Sequence, residues 1–289
     1  MPPLDDPRPG DAPEMAQPEP VRGPYDETSP QELYLDPEVL AQELAQELLG
    51  DPLDDIDTTD PAAADVAAEC DHGLELLRRA EQSASHDDRM QGLRIFCEHR
   101  DPRVIPQLLP LLAAPCPIHR MSAVYALGRN PSPLAVEPLL NLLAGDDNGY
   151  VRKAVAWSLG SYPDAPVLNP LIRSLQVDIA AVRLWAASSL AEAGATGAAK
   201  ADPAAAQLLL TLRIDSEPAV RSNSAWALGR LYLDLVEPRQ QEVVETLVHT
   251  MLEDADSAVR DEARLALEQL ESPEVLERLQ TLVDEGLLI

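Results

Sequence analysis

Each of the three cysteines has a histidine within three positions along the chain, and thiolates and imidazoles suit zinc, copper or iron–sulfur ligation. The pairs are Cys70 with His72, Cys97 with His99, and Cys116 with His119. None has the CxxC spacing of a closed zinc site. Cys116 precedes a predicted helix, whose N-terminus favours a thiolate. The sequence therefore predicts a metal or cluster role for Cys116, with His119 or Cys97 as second ligand, the alternative being that these cysteines are small buried apolar residues.

Aromatic side chains form the second group of candidate residues, because large aromatics dominate the energetics of protein interfaces. Only 3% of the chain is aromatic, and it contains three tryptophans. Trp157, Trp226 and Tyr125 each stand five residues after an arginine that recurs along the chain, and Trp185 stands two residues after another. These positions predict one aromatic stripe on a binding surface. The alternative is that the rings fill gaps between alanine-rich helices.

Cations and amides accompany the aromatics. Arg129 and Arg230 each stand nine residues after the recurring arginine, and Lys153, Asn130 and Asn223 lie near them in the sequence. On an exposed face, these groups could receive the carboxylates of a ligand or of a partner protein. Equally, they could only balance the surrounding acidic residues.

No motif of a self-contained enzyme occurs. The sequence lacks GxSxG, a P-loop, a GxGxxG that follows a strand, and HExxH, so hydrolytic or nucleotide-dependent catalysis has no visible machinery. Binding is therefore the function that the residues favour, and we expect no catalytic residues and no intrinsic cofactor.

A repeating sequence unit determines where these candidate residues lie in the fold. The recurring unit is a Val-Arg or His-Arg pair that opens an alanine-rich run ending in leucine, with its arginines at 120, 152, 183, 221 and 260 and a degenerate first copy at 89. A leucine-rich segment lies between successive copies, so each unit reads as helix, turn, helix. We count six pairs from about residue 62 to residue 270, then a closing helix at 272–285. Stacked pairs predict an all-α fold, a right-handed α-solenoid with the second helices on its concave side.

The repeat also predicts how the helices pack. The residues one before the arginine and three, six and seven after it share one helical face and should be buried, which leaves position five facing the groove. Gly128, Gly160 and Gly229 should supply the left-handed residue that ends each helix. Four aspartates precede the arginines by a few residues and should cap the second helix or pair with the arginine of a stacked repeat. They are Asp147, Asp178, Asp215 and Asp256.

Four phrases give the chain a family resemblance: YALGRNPSPLAVEPLL at 125–140, GYVRKAVAWSLG at 149–160, AVRLWAASSL at 181–190, and AVRSNSAWALG at 219–229. They resemble the HEAT-like repeats of the cyanobacterial phycobilisome lyase family, over roughly residues 88–271. The chain is also similar to the HEAT-repeat proteins that associate with IscA-type iron–sulfur carriers. The long acidic N-terminal segment suits these IscA-associated proteins better than it suits a compact lyase subunit.

The resemblance implies a non-catalytic adaptor or assembly factor for an IscA-type iron–sulfur carrier or a phycobiliprotein. The alternative that it implies is a bilin lyase, or lyase subunit, that attaches a linear tetrapyrrole to a phycobiliprotein cysteine. A bilin or a shared iron–sulfur cluster would be the cofactor.

Composition limits the partners and the location that we expect for the protein. The 289 residues carry 50 acidic and 22 basic side chains, a net charge of −28, which disfavours a nucleic-acid or anionic-membrane partner. No apolar run is long enough to cross a membrane, and three cysteines fit a reducing compartment, so we expect a cytoplasmic protein. Residues 1–63 hold 12 prolines, 17 carboxylates and two arginines, which predicts a disordered acidic tail with one short helix at 36–49. That helix would dock on its own solenoid, residues 64–289, or on a partner.

Overall fold

The computed structural model describes residues 63–270 and 272–284, and within them every regular element is helical. The acidic segment before residue 63 and the helix predicted at 36–49 lie outside the described residues. The remainder is an all-α solenoid of stacked helix pairs, so the predicted fold class is confirmed.

Six helix pairs follow one another, and a single helix follows the last pair. The first helices of the pairs are α1 (Ala63–Ser83), α3 (Ile105–Leu111), α5 (Val136–Gly145), α7 (Leu168–Val177), α9 (Ala198–Ile214) and α11 (Arg239–Glu253). The second helices are α2 (His86–Glu98), α4 (Pro117–Arg129), α6 (Gly149–Ser158), α8 (Ala180–Gly194), α10 (Pro218–Leu231) and α12 (Ser257–Gln269). The final helix is α13 (Pro273–Asp284).

Local sequence signals set where the second helices begin. The Asn148 side chain accepts hydrogen bonds from the backbone amides of Tyr150 and Val151 at the start of α6. Asp256 does the same for Ala258 and Val259 at the start of α12. In α4 and α10 the first position is a proline, whose fixed φ suits the first turn. Each second helix therefore starts directly after a short turn from its first helix.

The second helices contact one another along the whole row, whereas successive first helices contact each other much less. Small side chains at the shared face allow this close approach. In α6 the residues at the predicted face positions, Val151, Val155, Ser158 and Leu159, are all buried. The more closely packed row is the one expected on the inside of a stack that curves.

Arginine–aspartate pairs join consecutive repeats in a continuous ladder. Each arginine uses Nε and Nη2 to hold both carboxylate oxygens of an aspartate in the next repeat, at 2.6–2.9 Å. The pairs are Arg120 with Asp146, Arg152 with Asp178, Arg183 with Asp215, and Arg221 with Asp254. Three of the arginines also donate Nη1 to the backbone carbonyl of the aspartate that the preceding arginine holds. The ladder predicted from the sequence is therefore present.

Two of the aspartates predicted for the ladder are not the ones that pair with its arginines. The ladder uses Asp146 and Asp254, whereas Asp147 was predicted for the first of these places and Asp256 for the second. Asp256 caps α12 instead, and Asn148 takes the cap of α6. The bidentate geometry requires the carboxylate that directly follows the first helix, so the position in the turn decides which aspartate pairs.

The predicted role of the glycines is wrong. Gly197 is the glycine with a positive φ among the described residues, and Gly128 and Gly229 lie inside helices. A Cβ atom on Gly128 would overlap Cζ3 of the Trp157 indole, which packs across from the next second helix. Gly128 is required for close approach, because any side chain there would displace that ring.

We expect Arg183→Gln to destabilise the protein by roughly 3 kcal/mol, because the nearly buried Asp215 carboxylate would lose its charged partner. Urea unfolding measures this. The matched control is Arg264→Gln, which removes an exposed pair with Glu268 on α12 and should change stability by less than about 0.5 kcal/mol. Equal losses in the two variants would contradict a structural role for the ladder.

Gly128→Ala should destabilise the protein by about 1–3 kcal/mol, because the added methyl group overpacks the contact with Trp157. Near-ultraviolet circular dichroism should report the displaced indole. Gly145→Ala at the end of α5 is the control, since a Cβ there meets nothing within 4 Å. A Gly128→Ala protein with wild-type stability and spectrum would disprove this packing role.

Candidate protein-interaction face

The predicted aromatic and cationic residues lie on the row of second helices, and the surface that they form is called here the second-helix face. It is defined by the four central second helices, α4, α6, α8 and α10, which carry all three tryptophans and Tyr125. All four rings are half-buried. They lie at the surface of this row, where each can contact both its neighbours and a partner.

Tyr125 and Trp157 form an aromatic contact between adjacent repeats. Their ring centroids are 5.3 Å apart, with planes tilted by 60°. The Trp157 indole also rests over Gly128 of α4. The ring therefore fills a gap between neighbouring second helices and keeps a portion of its surface accessible, and its role in binding stays a prediction.

Trp226 has a cation as its neighbour. The Arg230 guanidinium lies 5.9 Å from the centroid of the Trp226 ring, within the range of a cation–π contact. Arg230 is exposed and also lies 3.5 Å from Glu192 on α8. This group presents an indole, a cation and a carboxylate together at the surface of repeats 4 and 5.

Trp185 and Asn223 lie between these two groups. The Asn223 side-chain amide donates to the Leu184 carbonyl at 2.7 Å and to the Ser188 hydroxyl at 2.6 Å, which ties α10 to α8. The Trp185 Nε1 atom is buried and makes no hydrogen bond with any residue that the structure describes. Asn223 therefore has a structural role alongside its half-exposed position.

Asn130, predicted for the binding face, is buried at the end of α4. Its Nδ2 atom donates to the carbonyls of Phe96, His99 and Ala126, and its Oδ1 accepts from the backbone amide of Asp101. The bonds to Phe96, His99 and Asp101 join repeats 1 and 2. The amide is thus committed to the fold and is excluded from the face. Position ten after the arginine is already past the helix end, which is why helical periodicity misplaced it.

Arg129 and Lys153 are half-buried members of the face on α4 and α6. Arg129 lies close enough to Cys97 to affect its ionisation. Tyr125 stands four residues before Arg129, and Lys153 stands four residues before Trp157, so each cation shares a helix side with an aromatic ring.

Cys97 is held as a neutral thiol. Burial raises its pKa to about 12, with a further upward effect from Glu98 and an opposing one from Arg129. Its Sγ atom lies 3.7 Å from the Ser122 carbonyl. The predicted ligand role of Cys97 stays a prediction.

His119 is buried, and both ring nitrogens are engaged. Its Nε2 atom lies 2.8 Å from Nδ1 of His86, and its Nδ1 atom lies 3.2 Å from an Arg89 guanidinium nitrogen. Arg89 is the first recurring arginine, so here a neutral imidazole stands in the place of a ladder aspartate. A metal at His119 would have to break one of these contacts.

Cys116 has a different setting. It is the N-cap residue of α4, half-buried, and makes no side-chain cap hydrogen bond. Cys70 is buried, and desolvation raises its pKa, with Asp101 acting in the same direction. Among the described residues no group of three or more histidine, cysteine, aspartate or glutamate side chains is arranged to hold a metal ion. The role of Cys116 in a shared cluster stays a prediction.

Two residues were missed by the sequence reasoning. Leu265, which is 48% exposed, stands five residues after Arg260 and extends the position-five row into α12. Its position in the repeat, five residues after the recurring arginine, could have identified it from the sequence. His86 contacts His119 from the start of α2, and no spacing in the sequence indicates that contact, because it depends on how the two repeats stack.

The comparisons with known proteins agree with this architecture. The chain matches the family model for HEAT repeats over residues 74–160, 136–229 and 206–286. These matches cover well over half of its length, so the protein belongs to the HEAT-repeat family. No curated protein matches it.

Three solved structures are similar in fold. One engineered protein has 21% identity and a TM-score of 0.48, covering 80% of this chain and 98% of its own. Another has 19% identity and a TM-score of 0.45, covering 76% and 94%. Human deoxyhypusine hydroxylase in complex with glycerol has 18% identity and a TM-score of 0.37, covering 81% and 99%. At these values the likeness carries no functional argument.

No helix in the described part of the chain is both long enough and apolar enough to span a membrane. The fold supports a repeat-type scaffold for protein interaction.

The His119 site predicts a pH dependence. Burial lowers the pKa of His119, and the charges of Arg89 and His86 lower it further. Because the folded-state pKa is below the unfolded value of about 6.5, the unfolded chain binds the proton more readily. The contribution of His119 to stability is thus complete above pH 6.5 and is lost as the pH falls through the folded pKa.

Urea unfolding at a series of pH values measures this effect. The free energy of unfolding should fall as the pH is lowered below about 6.5, and His119→Gln should flatten that dependence. His249→Gln, at an exposed position of α11, should leave the slope as in the wild type. An unchanged slope in His119→Gln would rule out His119 as its source.

Proposed function

We propose that this protein is a non-catalytic binding adaptor or assembly factor whose second-helix face holds a client protein. The observation that carries the proposal is the placing of Tyr125 and all three tryptophans, half-exposed, on adjacent helices of one row. Large aromatic side chains supply most of the binding energy in many interfaces. The protein belongs to a repeat family, and a continuous row of helices suits the binding of an extended surface.

The client that the sequence resemblance favours is an IscA-type iron–sulfur carrier or a phycobiliprotein in a cyanobacterium. Either client is compatible with the fold, because stacked repeats offer an extended scaffold for a partner protein. An adaptor of this kind would supply a surface that keeps the client in place during the insertion of its cofactor.

A bilin lyase is the second candidate. It is favoured by the combination of aromatic rings and cations on one face, with Arg230 beside Trp226 and Arg129 on the helix that carries Tyr125. Such a face could stack a linear tetrapyrrole and receive its propionates. The absorption spectrum of the purified protein separates the two candidates, since a bilin retained on the protein or attached to an apo-phycobiliprotein would favour the lyase.

The adaptor is tested with tagged full-length protein purified from its native cell. Mass spectrometry identifies the co-purified client, and the purified client is then bound again to wild-type and variant proteins. The double variant Trp157→Ala/Trp226→Ala should weaken client binding at least about tenfold, because it removes two aromatic contacts from the face. The helical circular dichroism spectrum should remain that of the wild type.

Leu233→Ala is the matched control, because Leu233 is 85% exposed and apolar but lies in the turn between α10 and α11. It should leave client binding unchanged. Undiminished binding by the double tryptophan variant would refute the assignment of the face.

A further inference from the structure

The last recurring arginine, Arg260, lacks the aspartate partner that the ladder arginines have. In each of the four preceding repeats, Nε and Nη2 of the arginine hold both carboxylate oxygens of an aspartate. Nε and Nη2 of Arg260 make no hydrogen bond or ion pair with any residue that the structure describes. We infer that Arg260 is an open binding site for a carboxylate side chain of the client, an inference that rests on the proposed function.

The guanidinium of Arg260 is held in the pose of the ladder arginines. Its Nη1 atom donates to the carbonyls of Asp254 at 2.7 Å and Ala255 at 3.2 Å, which stand six and five residues before it. Nη1 of Arg221 likewise donates to the carbonyls six and five residues before it, at 2.9 and 3.4 Å. Because a guanidinium is planar, these bonds also orient the edge formed by Nε and Nη2. In Arg260 that edge therefore faces the place that an aspartate occupies in the ladder.

A seventh repeat stacked on the sixth is excluded as the source of the carboxylate. Position eight after the recurring arginine packs against the next second helix, and it is a glycine at 128, 160 and 229. In α12 this position is Glu268, an exposed residue that Arg264 holds at 2.9 Å. A charged pair there opposes the close approach that another second helix would need.

A second copy of this chain does not offer the carboxylate either. Each ladder aspartate directly follows the first helix of its repeat, whereas Ala84 follows α1 in the first repeat. A copy stacked head to tail on repeat 6 would therefore bring a methyl group to Arg260. The geometry fits an exposed aspartate or glutamate in a turn of a different protein.

The shape of the site, more than the net charge around it, selects a carboxylate. The two nearest acidic side chains are already engaged: Asp254 is held by Arg221, and Asp256 accepts the backbone amides that begin α12. Two parallel N–H···O bonds match the two oxygens of a carboxylate, and an amide or a hydroxyl has no second oxygen to accept the other bond. Since the edge is oriented before binding, little side-chain freedom is lost when a carboxylate occupies it.

Urea unfolding tests whether the site is open. Arg260→Gln should shift the urea midpoint much less than Arg183→Gln, because only Arg183 has a carboxylate that would lose its partner. A loss equal to that of Arg183→Gln would show that the chain fills the site itself, and it would overturn the inference.

Nuclear magnetic resonance of the arginine side chains tests binding, with sodium acetate as the probe and the full-length protein. Acetate should shift the Nε–H resonance of Arg260, whereas sodium chloride at the same ionic strength should not. The resonances of Arg152, Arg183 and Arg221 should stay in place, because aspartates already occupy these arginines. Arg260→Lys assigns the signal by removing it. An Arg260 signal that acetate moves no further than chloride does would count decisively against the site.

The purified client then tests the partner. Arg260→Gln should weaken client binding at least about tenfold, and Arg260→Lys should weaken it nearly as much, because an ammonium group cannot make the two parallel bonds. Arg264→Gln is the matched control, since Arg264 lies one turn further along α12 and pairs with Glu268 of the same helix. It should bind the client like the wild type.

The outcomes separate this inference from the proposed function. If Arg260→Gln binds the client like the wild type while Trp157→Ala/Trp226→Ala releases it, the adaptor stands and the Arg260 site is overturned. If Arg260→Gln releases the client and the double tryptophan variant retains it, the site stands and the second-helix face is wrongly assigned. Equal weakening by Arg260→Gln and Arg264→Gln would also overturn the site, because it would show a general effect of charge.

Discussion

The bidentate pairing of an arginine in one repeat with an aspartate in the next is the interaction on which the stack depends. Each arginine of the central repeats holds the carboxylate of the following repeat with two nitrogens and uses the third on a backbone carbonyl of its own turn. Because a guanidinium is planar, this fixes both the distance and the orientation of neighbouring pairs. The pairs are nearly buried, so removing one partner would leave a charge that water reaches poorly. The ladder thereby sets the register at which all other inter-repeat contacts form.

In the first repeat, the recurring arginine has a different partner from the arginines of the ladder. Arg89 finds His119 and the carbonyl of Ala80 where the later arginines find an aspartate. A neutral imidazole makes a weaker, pH-dependent partner than a carboxylate. The junction of repeats 1 and 2 relies instead on Asn130, three of whose hydrogen bonds join the end of α4 to the end of α2 and the turn that follows it. One fold thus uses two solutions to the same problem of fixing adjacent repeats.

The second-helix face follows from the same packing. Close approach of the second helices needs small residues at their contacts, and glycine at position 128 lets an indole cross from one helix to the next. The rings are therefore partly used by the fold and partly presented to solvent. A surface that is already ordered by its own packing loses little side-chain freedom when a partner binds. This makes rigid, half-buried aromatic side chains suitable as interface anchors.

The sequence by itself determined the fold class and the repeat, because a Val-Arg edge and an alanine-rich face that recur at intervals of 31–39 residues leave few alternatives to stacked helix pairs. It also placed Trp157, Trp226 and Tyr125 on one helical side, since that depends only on spacing within a helix. Tertiary structure alone decided the partners across repeats: Asp146 in place of Asp147, Asn130 inside the fold, His86 against His119, and Gly128 beneath an indole. These contacts depend on the rotation and translation between successive pairs. No local pattern encodes those quantities, because they result from the packing of many side chains at once.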